Sequence, residues 1–225
     1  MNMNHSLTEQ SQRFSYKPLL WLLAIPLLNV LYALQNGPGD KVHSLVTSVD
    51  INTPFIPAFA IPYVIWYPFL FLTLVLILRK SEKQYYQTLL ALCMGLILCN
   101  LVYAFFQTTV PRPEVPSTGF LNHLVSFVYA NDEPFNCFPS IHVLTSSLMI
   151  AGSSVLGWKI RIPVVVIALS IIASTLFIKQ HVIADVMAGM LVAKFMFWCS
   201  GQLLPIIRHR LTSRNQRGLP YADHK

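Results

Sequence analysis

The chain has 225 residues, 54% of them hydrophobic and only 11% charged, and a formal net charge of +7. Soluble domains run near a quarter charged, so this composition excludes an ordinary water-soluble enzyme and points to a polytopic all-α membrane protein. The whole of 1–225 reads as one integral membrane domain, with no pattern for a second, soluble unit.

In chain order, apolar runs cover 18–34, 56–78, 88–106, 141–156, 160–178 and 185–207. A helix needs roughly 17–25 residues to cross a hydrocarbon core of about 30 Å, so five runs qualify and the fourth is slightly short. The expectation is a six-helix transmembrane bundle. No early cleavage motif follows the first run, which therefore reads as a retained helix. The fifteen prolines are compatible with spans, because neighbouring helices resatisfy the backbone.

Between the spans lie two long segments, 35–55 and 107–140. In the first, 41–51 has a weak pattern that fits a short interfacial helix or an ordered loop. Pro54, Pro57, Pro62 and Pro68 punctuate the entry to the second span, where Tyr63, Trp66 and Tyr67 fit either a headgroup anchor or packing inside the bundle.

Positive charge fixes the expected orientation. Arg13 and Lys17, then Arg79, Lys80 and Lys83, then Lys159 and Arg161, then Arg208, Arg210, Arg214 and Arg217 all fall on one side of a six-span chain. The positive-inside rule makes that side cytoplasmic, with both termini, in a cell membrane. The opposite segments hold only Lys41, Arg112 and Lys179 as fixed cations. The basic balance is thus topology rather than a nucleic-acid footprint, and no nucleic-acid partner is expected.

Several polar residues stand out within spans. Lys194 is about 14 Å along a helix from Asp185, where a charge marks a polar contact, a cavity or a shifted boundary. Asn29 and Asn100 suit interhelical hydrogen bonds, and Gly189 with Ala193 gives a small-xxx-small spacing for close packing within the chain or between copies. Cys93, Cys99 and Cys199 lie in apolar runs and Cys137 in an outer segment; they form neither a disulfide framework nor a pair of thiolates for zinc. Cys137 lacks an assignable base and reads as a packed thiol rather than a nucleophile.

Chemistry concentrates at the outer end. Pro139-Ser140-Ile141-His142 fits a helix start, where free N–H groups and the Ser140 hydroxyl can hold phosphate oxygens. His181 and Asp185 are four apart, a spacing that lets the carboxylate accept from one imidazole nitrogen and leave the other free to attack phosphorus. That pair alone also fits an ordinary polar contact or part of a metal site. The hairpin between them returns His181 to the layer of His142, and Arg112 in Val110-Pro111-Arg112-Pro113 follows the third span into the same layer. A planar guanidinium suits phosphoryl oxygens.

These residues carry a resemblance to the type 2 phosphatidic acid phosphatase superfamily, whose motifs are Lys-x6-Arg-Pro, Pro-Ser-x-His and Ser-Arg-x5-His-x3-Asp. Arg112-Pro113 resembles the end of the first motif, Pro139, Ser140 and His142 the second, and Ser174, His181 and Asp185 the third. Phe105 stands in place of the first lysine and Thr175 in place of the third motif's arginine, with Lys179 as a nearby cation that fits compensation or a membrane-edge anchor. Phe138-Pro139-Ser140-x-His142 with Ser174-Thr175 also looks like the branch containing inositol phosphorylceramide synthases.

The resemblance implies a lipid phosphate phosphatase needing no metal or other cofactor. In that scheme His181 is the nucleophile, Asp185 its orienting partner and His142 the proton shuttle; Arg112, Ser140, Ser174 and Lys179 form the phosphate-binding set. It implies a lipid phosphate as substrate, surrounding membrane lipids and, in the transferase version, a hydroxylated lipid acceptor. A membrane transporter or scaffold is the alternative from a different class.

Overall fold

The computed structural model describes residues 17–217, with side chains through 207. Its elements are α1 (Lys17–Gln35), α2 (Ser48–Asn52), α3 (Pro57–Lys80), α4 (Glu82–Phe105), α5 (Phe120–Asn131), α6 (Ile141–Val155), α7 (Trp158–Phe177) and α8 (Ile183–Arg217). Five helices, α1, α3, α4, α7 and the Ile183–Ile207 part of α8, are long and apolar enough to cross a membrane; α6 is apolar but shorter. The protein is an all-α, multi-spanning bundle, and among the described residues extended pairing is limited to a parallel bridge between His43 and Thr108.

Local sequence accounts for the helix ends. Ser81 caps α4 by accepting from the Gln84 N–H at 3.2 Å, so the polar turn Glu82-Lys83-Gln84 is helical although the apolar run begins later. Ser140 caps α6 through the Val143 N–H at 3.4 Å. The helix over 41–51 contracts to Ser48–Asn52, because Thr47 and Asp50 form a capping box that starts the helix there. Upstream, His43 instead pairs its backbone with Gln107 and Thr109. A further helix, α5, occupies the middle of the second outer segment and buries Val125 and Val128 one turn apart.

α6 is the axis of the bundle, packed against α3, α4, α7 and α8, with Leu144, Leu148 and Met149 fully buried. Lipid tails are as apolar as these side chains, so close packing rather than water exclusion holds such helices together. Gly189 makes that possible on α8: a Cβ there would stand 2.8 Å from the Ser140 carbonyl oxygen and 3.0 Å from the Val143 Cβ. With buried Ala193 one turn on, the small-residue spacing serves packing within the chain. Asn29 donates to the Tyr67 hydroxyl across α1 and α3, and Asn100 accepts from Gln35 across α4 and α1.

Helix direction puts Lys17, Arg79, Lys80, Lys83, Lys159 and Arg161 at one end of the bundle, and the ends of α4 and α7 with the starts of α6 and α8 at the other. Arg13 lies outside the described residues, and Arg208, Arg210, Arg214 and Arg217 lie in the part of α8 whose side chains are outside them. Trp66 and Tyr63 resolve toward packing, only 5% and 6% exposed, while Tyr67 is 46% exposed.

Candidate active site

At the end opposite the cations, α6 and α8 present their N-termini side by side. The Ser140 N–H donates to the Asp185 carbonyl at 3.3 Å, tying the two helix starts together. His142 lies in the first turn of α6 and Asp185 in that of α8. Two positive dipole ends converge here, an arrangement that favours bound negative charge.

His181 precedes α8 in a tight turn. Lys179 adopts φ 54°, a left-handed conformation uncommon for a side chain of this size, and the Gln180 and His181 N–H groups both donate to the Thr175 carbonyl, at 2.9 and 3.0 Å. The His181 Nδ1 stands 3.3 Å from the Asp185 Oδ2, which also accepts from the Val182 N–H at 2.9 Å. The Asp185 Oδ1 is buried without a protein partner. The His142 and His181 rings face each other, centroids 5.9 Å apart. The hairpin therefore brings the histidines together across two helix ends.

His142 is clamped by aromatic rings, with Trp66 4.1 Å and Tyr63 4.4 Å away between centroids. The Tyr63 hydroxyl lies 3.5 Å from the His142 Nδ1 and donates to the Asp132 Oδ2 at 2.7 Å. Asp132 also receives the Tyr32 hydroxyl at 2.6 Å and the Asn36 amide at 3.1 Å. With its hydrogen committed to Asp132, the Tyr63 oxygen can only accept from His142, which puts a proton on Nδ1 and leaves Nε2 outside that contact. Sequence reasoning missed Asp132: it is 69 residues from Tyr63 and 96 from Asn36, so no local spacing announces the cluster.

Arg112 and Lys179 join His181 around a cavity of about 270 Å³, with Asp50 on the same wall. The Arg112 guanidinium stacks 4.3 Å over the Tyr129 ring, donates to the Tyr129 and Asp132 carbonyls and to the Gln180 Oε1, and keeps its buried Nε without a partner. Burial raises the Tyr129 phenol to about 12 against the opposing pull of Arg112. Lys179 donates to the Asp50 and Thr53 carbonyls, so its ammonium stitches the turn to the 47–53 loop. Asp50 caps α8 from that loop by accepting the Ile183 N–H at 2.8 Å. Partial burial pushes the Asp50 carboxyl up, but the Thr47 hydroxyl, the Ile183 and Thr47 N–H groups and Lys179 outweigh it and hold the carboxyl below its ordinary range.

Ser140 and Ser174 line neither this cavity nor the second one described below. Ser140 is fully buried as the α6 cap, and the Ser174 hydroxyl donates to the Ile171 carbonyl at 2.6 Å. Phe105 points away, 87% exposed, and the Thr175 hydroxyl donates to the Ile172 carbonyl at 2.7 Å. Lys194 is exposed on α8 beside exposed Leu191, Phe195 and Trp198. Cys137 is buried, and one ligand atom each from Cys137, His181 and Asp185 lie within 4.8 Å of one another. Burial, Asp185 and Asp132 push the Cys137 thiol well up, and its Sγ donates to the Pro134 carbonyl.

The family model for the PAP2 superfamily matches residues 84–207, more than half of the chain. The chain belongs to the PAP2 superfamily. Membership of this phosphatidic acid phosphatase superfamily suggests phosphatase activity on lipid-type substrates. The PAP2 match takes in Arg112, His142, His181 and Asp185, while the Tyr63 and Trp66 clamp and the Asp50 cap lie before it. No curated protein and no solved structure matches the chain.

Proposed function

We propose that the protein is a membrane phosphatase that hydrolyses a lipid phosphomonoester through a phosphohistidine, acting at the extracytoplasmic face of a cell membrane. The observation that carries this reading is the pairing of an oriented His181 with a second buried histidine, beside a cavity walled by Arg112. In this reading α1, α3, α4, α6, α7 and α8 are six spans of one domain, and both termini face the cytoplasm with the clustered cations.

In the first step the free imidazole nitrogen of His181 bonds to phosphorus as the P–O bond to the lipid alcohol breaks, and His142 delivers a proton to the departing oxygen. In the second step His142 takes a proton from water, the water oxygen bonds to phosphorus, and the P–N bond breaks to release phosphate. Asp185 stabilises the positive charge on His181 during both displacements, and Arg112 offers its unpaired Nε–H to phosphoryl oxygens. No metal takes part in this scheme. Hydrolysis that survives thorough chelation fits it, and strict dependence on a divalent ion overturns it.

A second reading is favoured by Phe105, Thr175 and the engagement of Lys179 with loop carbonyls, which leave Arg112 as the principal cation for phosphate. In it, the same phosphoenzyme passes a phosphorylated headgroup to a hydroxylated lipid, as in the inositol phosphorylceramide synthase-like branch. Separately labelled lipid donor and alcohol acceptor distinguish the two: a doubly labelled product supports transfer, and inorganic phosphate alone supports hydrolysis. His181→Ala should abolish both turnover and the phosphoenzyme; undiminished turnover overturns the mechanism, whereas no turnover of any lipid phosphate by the unaltered protein favours a transporter or scaffold.

A further inference from the structure

A second cavity of about 380 Å³ opens on the other side of the histidine pair, between α1, α3, α5 and the start of α6. It falls within the size range of ligand sites, and its chemistry differs from that of the cavity holding Arg112. Its charged lining residues are Asp132 and Glu133, and no lysine or arginine lines it. The rest of its polar wall is neutral: Asn29, Tyr32, Asn36 and Tyr63 among them. A phosphate placed here would meet a carboxylate and no compensating cation. Several of its donors are already engaged: Tyr32, Tyr63 and one Asn36 N–H with Asp132, and one Asn29 N–H with the Tyr67 hydroxyl. It also offers acceptors. The Asn36 Oδ1 is buried with no protein partner, beside the Asp132 carboxylate. A buried acceptor without a donor is costly, and a ligand that brings an O–H group satisfies it.

Position adds to the argument. His181 lines the cationic cavity and His142 lines this one, so the two rings, 5.9 Å apart between centroids, form the partition between them. α1 supplies the outer wall with only 11% of its apolar window buried, and it carries exposed Leu27, Val30, Leu31 and Leu34. A hydrocarbon tail leaving the cavity past α1 meets lipid.

We infer that this second cavity is the site of the neutral alcohol partner: its hydroxyl lies against Asn36, Asp132 and His142 while its tail extends past α1 into the bilayer. The inference rests on the phosphoryl-transfer reading above and adds where the non-phosphate half of the reaction is held. The alcohol is either the group released from the lipid phosphate or an acceptor that attacks the phosphohistidine. The chemistry is shared: in one direction His142 gives its proton to the alkoxide, and in the other it takes the hydroxyl proton as the oxygen bonds to phosphorus.

The test uses the full-length His181→Ala protein in mixed micelles, where no turnover consumes the probes, with two photoreactive alcohols, a diazirine diacylglycerol and a diazirine polyprenol. Crosslinks from at least one are expected on 29–36 or 127–133, displaced by the unmodified alcohol and not by inorganic phosphate. Ala33→Trp places an indole at the α1 wall and should weaken specific labelling roughly tenfold; Leu20→Trp, at an exposed position of the same helix outside the cavity, is the folding control and should leave it unchanged. Labelling by neither probe at these segments, displacement by phosphate, or indifference to Ala33→Trp overturns the inference. With active protein, a doubly labelled product from an added alcohol identifies an acceptor, and competitive inhibition without transfer identifies the leaving alcohol. Specific crosslinks together with no turnover of any lipid phosphate would sustain the alcohol site and overturn the phosphatase reading instead.

Discussion

Replacing Tyr63 by phenylalanine removes one oxygen that touches both His142 and Asp132. The ring stacking on His142 is retained, so the perturbation is confined to the 3.5 Å contact with Nδ1 and the 2.7 Å hydrogen bond to the Asp132 Oδ2. A hydrogen bond to a charged group contributes about 1.5–3 kcal/mol, but Asp132 keeps Tyr32 and Asn36, so the fold is expected to survive. General acid–base catalysis contributes on the order of 10²–10⁴ in rate, and losing the group that orients the acid should forfeit roughly tenfold to a hundredfold of it, or about 1.4–2.8 kcal/mol. The discriminating assay compares two leaving groups. Release of alcohol from dioctanoyl phosphatidic acid needs a proton and should slow by that factor, whereas the burst of nitrophenolate from p-nitrophenyl phosphate needs none and should change less than about twofold. An equal loss on both substrates would show that Tyr63 acts through general packing, and no loss on either would refute the positioning role.

Other substitutions test neighbouring parts. Arg112→Lys keeps the charge but loses the planar fork, the stacking on Tyr129 and three hydrogen bonds, and kcat/KM should fall roughly tenfold to a hundredfold in steady-state assays. Gly189→Ala puts a Cβ 2.8 Å from a backbone carbonyl that cannot rotate aside, at a cost of about 1–3 kcal/mol, read as a lower thermal midpoint in micelles with a loss of turnover. Asp50, whose carboxyl is held below its ordinary value, contributes stability that is fully present above the unfolded value near 4 and is lost as pH falls through the folded one. Asp50→Asn should therefore lower the midpoint at neutral pH and flatten its decline in acid, in unfolding scans run at several pH values.

The apolar helices were readable because each is a continuous apolar run, and α3, α4, α6 and α7 begin or end within a few residues of those runs. The His181–Asp185 contact was also readable, since a spacing of four at a helix start is local geometry. The environment of His142 was not. Tyr63, Trp66 and Asp132 reach it from other elements, and aromatic residues at the entry to a span carry the same sequence signal whether they face headgroups or a histidine. α5 escaped notice for a related reason: only Val125 and Val128 are buried on it, too few for a clear periodic stripe. Lys179 was legible as a cation at the outer layer but not as a backbone donor, because its partners are carbonyls 126 and 129 residues away.

The shortness of α6 has a consequence for depth. Its 12 α-helical residues and 3-residue final turn rise roughly 20–24 Å, against a hydrocarbon core of about 30 Å. If its inner end is level with those of its longer neighbours, His142 lies several ångströms below the headgroup plane. In the proposed reaction a phosphate must then be drawn down from the membrane surface rather than met on it, and attacking water must follow through the same recess. Membrane thickness thereby becomes a variable of the reaction, with thinner bilayers bringing the headgroup layer closer to the histidines.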